Sequence, residues 1–217
     1  STLLASICLL KSKDYQSIQY QNKQQNAATS MPEKNPAHVI KKFWIIAAVY
    51  LITVLVFTQM RTTYPVYLKE FYKAGPHMFA SIYMVNSLMI VLIEVPLLTY
   101  LTRVKQHVLA AVGSLLVCLG FAILPFSTQP DFAYFSCALW SLGEILFYPT
   151  LLNLMLNTLK TNHARYTGIY QSVYSAGVLA SPAFGTILYR FNHGMWLWIV
   201  CGIFGVLTFF KTLRFLK

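Results

Sequence analysis

Polar residues interrupt this chain at intervals that leave six long apolar runs, at 43–68, 79–101, 107–126, 132–159, 166–189 and 195–213. A bilayer core of ~30 Å takes roughly 20 helical residues, so each run predicts one membrane-spanning helix; they are labelled A to F. The connections are short and polar, as in "KEFYKAGPH" (69–77) and "STQPD" (127–131), where Gly and Pro stop the helices. Residues 11–42 differ in kind: they are polar, rich in Gln and Asn, and carry Pro32 and Pro36, which predicts a linker. The ten residues before it, "STLLASICLL", are apolar but too few to span, and lack a charged leader or cleavage site. They read as the remnant of a preceding transmembrane helix.

The polar exceptions inside the runs are unevenly shared. Helix A holds Gln59, Arg61, Thr62 and Thr63; B holds Asn86 and Glu94; D holds Glu144, Asn153 and Asn157; E holds Tyr170, Gln171, Tyr174 and Ser181. C and F hold almost nothing polar. Polar groups at membrane depth must be buried in protein or line a wet path. Helices A, B, D and E are therefore expected around an interior path, with C and F facing lipid. Two triplets, each ending in a scaffold helix, predict an all-α six-helix bundle built as a 3+3 repeat.

Composition agrees with this picture. The chain is 57% hydrophobic and 11% charged, against about 25% charged in an ordinary soluble domain. Its net charge of +11 forms no continuous patch, so nucleic acid is not an expected partner. The charge instead orients the bundle, because loops rich in Lys and Arg stay cytoplasmic. Thirteen basic residues fall on one side, in the linker, the B–C and D–E turns and the tail, against Lys69, Lys73 and Arg190 on the other. The linker and the C-terminus are both expected in the cytoplasm. Four isolated cysteines show neither disulfide nor metal spacing, and no metal site is expected.

Three stretches carry a family resemblance. "QMRTTYPVYL" (59–68) and "VNSLMIVLIEVPL" (85–97) resemble the seventh and eighth helices of proton-coupled drug-efflux members of the major facilitator superfamily. "GEILFYP" (143–149), followed by "ARYTGIYQSVYSAGVLASPAFGTIL" (164–188), is similar to their tenth and eleventh helices. Glu94 stands where many of those proteins have Gln, and "LTRVKQH" (101–107) keeps only Arg103 and Lys105 of the gate motif found in the first half of such transporters. The resemblance implies that the chain is the C-terminal half of a facilitator. Residues 11–42 are then the central linker, residues 1–10 the end of the sixth helix, and the missing N-terminal six-helix half a partner.

It further implies secondary active transport, driven by the proton gradient with no bound cofactor, and export of small amphipathic compounds across a bacterial cytoplasmic (inner) membrane. A polar metabolite, peptide or siderophore is the alternative substrate, with Arg61 holding its carboxylate. A truncated, inactive half is a further reading. An intramembrane enzyme would need a nucleophile beside a base, and the embedded polar residues include no His and no G-x-S-x-G. The protein is not expected to be an enzyme.

The expected site residues follow from depth. Glu144 lies about 12 residues, ~18 Å, into helix D, close to the midplane. A carboxylate that moves between water and a low-dielectric interior changes its protonation, which couples a proton to a conformational change. Glu144 is the leading candidate for proton coupling or substrate binding, with Glu94, Arg61, Gln59, Asn86, Tyr148, Gln171 and Tyr174 as further candidates. Gly177, Ser181, Pro182 and Gly185 form a small-residue ridge on helix E, which predicts close helix packing or a gating element.

Overall fold

The computed structural model describes residues 36–159, 161–191 and 194–215. The remnant helix at 1–10 and most of the linker lie outside the described residues. The observed order is α1 (Ala37–Phe57), a 3-10 turn (Thr58–Arg61), α2 (Thr63–Phe71), α3 (Pro76–Tyr100), α4 (Gln106–Ala122), α5 (Pro130–Thr158), α6 (His163–Tyr189) and α7 (Met195–Phe215), with two further 3-10 turns, Leu101–Arg103 after α3 and Leu124–Phe126 after α4.

α1 opens at Ala37, inside the stretch that reads as linker, because Pro36 takes the N-cap position with extended backbone and no breaker follows it. The run read as one helix A is divided. Pro65 has no N–H for the carbonyl of Arg61, and its ring crowds that carbonyl. The chain answers with the 3-10 turn Thr58–Arg61 and an off-helix Thr62 before α2 resumes.

Among the described residues, five helical segments are long and apolar enough to cross a membrane: Ala37–Arg61, Pro76–Arg103, Gln106–Phe126, Pro130–Thr158 and Met195–Phe215. α6, at 27 residues, has the length. Arg165, Gln171, three serines and four tyrosines make it more polar than the other five.

α4 packs against α5 and α7, and α1 touches α4, α5, α6 and α7. None of the residues from Gln106 to Pro125 is exposed. Helix C packs on α5 and α7 along one side, while Leu119, Ala122 and Pro125 border an open apolar groove beside α7. A span without polar groups suits lipid and a packed bundle interior equally well, so polarity alone could not separate the two. Glycines make the α4–α5 crossing close: a Cβ on Gly113 would come within 2.7 Å of the Phe147 backbone nitrogen, and one on Gly120 equally close to that of Trp140. α3 is the converse case, packing on α5 along one stripe with only Ile82 and Asn86 buried.

Candidate functional site

The stripe by which α3 meets α5 is the most polar contact in the described bundle. Asn86 is 7% exposed, and its Nδ2 donates both to Ser141 Oγ at 3.0 Å and to Glu144 Oε2 at 2.9 Å. One turn earlier, Cys137 Sγ donates to the Ile82 carbonyl at 3.5 Å. Helical spacing explains the set: Ile82, Asn86, Ile90 and Glu94 recur every four residues on α3, and Cys137, Ser141, Glu144 and Tyr148 recur at three or four on α5. Two such faces laid together bring every polar group of one against the other.

Beyond the Asn86–Glu144 contact the two helices part around a cavity of about 140 Å³, lined by Ile90, Glu94, Glu144, Ile145, Tyr148 and Pro149. Glu94 and Glu144 thus face one small volume. Tyr148 Oη is buried and has no hydrogen-bond partner among the described residues.

Tyr148 also joins this cavity to an aromatic cluster. Its ring meets Tyr50 of α1 edge-on at 6.0 Å and Phe57 at 5.5 Å, and Tyr50 stacks on Tyr170 of α6 at 3.9 Å with 8° between planes. Tyr174 lies next to it, 6.2 Å from Tyr50. Glu144 and four tyrosines from three helices therefore form one contiguous assembly. Gln171, read as part of the same group, is exposed while Tyr170 is buried, since successive residues of a helix diverge by about 100°.

Other candidates belong elsewhere. Gln59 is fully buried: its Nε2 donates to Leu55 O, Ser181 O and Ser181 Oγ at 2.9–3.1 Å, and its Oε1 accepts from Thr62 and Thr63. All its hydrogen-bonding capacity is used in joining the broken end of α1 to α6. Gly177 and Gly185 permit that approach. A Cβ on Gly177 would come within 2.8 Å of Val54, and one on Gly185 would collide with Gln59 Oε1. Ser181 is buried between them, and Pro182 faces outward. Arg61 is exposed on the 3-10 turn.

The sequence singled out Glu144, Glu94, Asn86 and Tyr148 one at a time, and the structure puts them side by side. Ser141 and Tyr50 escaped notice. Ser141 stands three residues before Glu144 on the same helix face, which was a usable signal; Tyr50 lies in an ordinary apolar run and offered none.

A family model described as Major Facilitator Superfamily matches residues 1–164. The chain belongs to that superfamily. It is accordingly an integral, multi-pass membrane protein of a transporter family, which explains carboxylates held at membrane depth between helices. The match includes α1 to α5 and hence both sides of the Glu94–Glu144 cavity. No curated protein matches the chain.

Proposed function

We propose that this chain is the C-terminal half of a proton-coupled facilitator that exports small amphipathic cations, with Glu144 as its proton-linked carboxylate. The observation that supports this most is the cavity that Glu94 and Glu144 share with Tyr148, beside an aromatic cluster. Two acids in a small space attract a cation or a proton more strongly than either acid alone. Tyrosine faces add cation–π attraction and apolar area. Asn86, by donating to Glu144, holds the carboxylate in position without neutralising it. α6 serves as the sixth span, its polar residues meeting the missing half or a wet path.

Glu94 supplies charge without the hydrogen bond from Asn86, so its role is in substrate affinity. In the complete transporter, Glu94→Gln is expected to raise KM for a cationic dye such as ethidium about tenfold, equivalent to ~1.4 kcal/mol. Dependence on the proton gradient should persist. An unchanged KM would remove Glu94 from the site.

Orientation is tested separately. In intact cells an impermeant maleimide should label Gly75→Cys, at the turn before α3, and leave Thr102→Cys, at the turn after it, unreacted. Both positions are exposed, so the opposite pattern would reverse the proposed topology.

A further inference from the structure

α7 borders a second feature, unrelated to the carboxylate cavity and independent of the transport reading. Where α7 meets α1, Ile52, Leu207, Thr208, Phe210 and Phe215 line a cavity of about 330 Å³ together with Lys211 and Arg214. Leu207 and Phe210 are 55% and 64% exposed, as side chains facing hydrocarbon can be. At 1.5 Å per residue, α7 is ~31 Å long and matches the bilayer core. Arg214 stands one residue from its end and Leu207 about 10 Å further in. The groove therefore runs from the depth of acyl chains to that of headgroups, and its cations stand at the headgroup end.

Among the described residues, those cations have no acid beside them. The described carboxylates are Glu70, Glu94, Asp131 and Glu144, and none lines this groove. The Arg214 guanidinium lies 5.6 Å from the centroid of the Phe215 ring, an aromatic contact that leaves its hydrogen-bond donors available. On the other side of Leu207, a cavity of about 510 Å³ between α4 and α7 is lined only by apolar side chains and Gly202. The comparison separates two environments on one helix: the larger groove suits any chain, and the smaller adds charge where a phosphate would lie.

We propose that the groove between α1 and α7 binds one anionic phospholipid, with its phosphate on Lys211 and Arg214 and an acyl chain along Ile52, Leu207 and Phe210. A soluble phosphate would meet the cations but leave the apolar wall unused; a zwitterionic lipid would fill the wall but bring its own positive charge to Lys211. Only a lipid with net negative charge satisfies both ends.

The test is native mass spectrometry of the full chain in detergent, titrated with phosphatidylglycerol or phosphatidylcholine of identical acyl chains. Each cation near the surface favours an anionic lipid about five-fold, so the first bound phosphatidylglycerol should be preferred on the order of tenfold or more. Lys211→Gln with Arg214→Gln should abolish the preference, while Arg103→Gln with Lys105→Gln should leave it intact. Ile52→Trp, which fills the groove and keeps both charges, should also weaken binding. Glycerol phosphate in excess should not displace the lipid. Equal binding of the two lipids, equal loss in both charge pairs, or displacement by glycerol phosphate would each overturn the proposal. Variants are compared only where the melting temperature matches that of the parent protein.

Discussion

Replacing Glu144 by Gln in the complete transporter is expected to reduce proton-driven export of a cationic dye to the level of protein-free liposomes. The variant is a sharp one because Gln preserves most of what the structure shows at this position. Its Oε1 still accepts from Asn86 Nδ2, now 2.9 Å from Glu144 Oε2, and Ser141 keeps its own bond from the same amide. What disappears is the ability to carry a charge or lose a proton. Glu94 remains in the cavity, so dye binding should weaken by about tenfold while dye–dye exchange, which needs no net proton movement, continues. If Glu144 only provides a hydrogen bond between α3 and α5, the variant will export normally with an unchanged pH profile, and the coupling role is then wrong.

The second large effect concerns the packing that holds α5, and hence Glu144, in place. Gly143 precedes Glu144 and faces α4. A Cβ there would collide with the Val117 backbone nitrogen and come within 2.8 Å of the Gly113 carbonyl oxygen. Backbone atoms of a buried helix cannot move aside as a side-chain tip can, so Gly143→Ala must push α4 and α5 apart. Overpacking of this kind costs about 3 kcal/mol, and the thermal unfolding midpoint in detergent should fall by about 10 °C. Gly168→Ala on α6 is the control, because nothing lies within 4 Å of its added methyl group. It should be neutral or stabilise by up to ~1 kcal/mol, as a helical glycine-to-alanine change does. Similar losses at both positions would mean that the close α4–α5 crossing is not what makes Gly143 sensitive.

Much of this architecture was legible in the chain because membrane helices announce themselves by length and apolarity. The break in the first helix was less legible. Pro65 was visible, but whether a membrane proline kinks, ends or merely decorates a helix depends on the neighbours that accept the freed groups. Gln59 shows the same limit in the candidate site. A buried amide in a span signals that it is satisfied by something, and the sequence could not say whether that is a substrate or Ser181 on a helix more than 120 positions away. Glu94 and Glu144 were noticed separately for the same reason: helical periodicity assigns each to a face, but only the register of α3 on α5 makes the two faces meet. Which side of α4 packs on α5 was not legible, since lipid and a packed protein interior ask the same apolarity of a side chain.

The proposed exchange of a proton for a cation at Glu144 can be read by counting the protons released when the cation binds. In a weakly buffered solution of the purified transporter at constant pH, a pH-indicator dye reports proton release as ethidium is added, at a pH where the unliganded site holds its proton. Close to one proton should be released per cation bound in the parent protein and none in Glu144→Gln. Cation binding with the same proton release in both proteins would contradict the exchange.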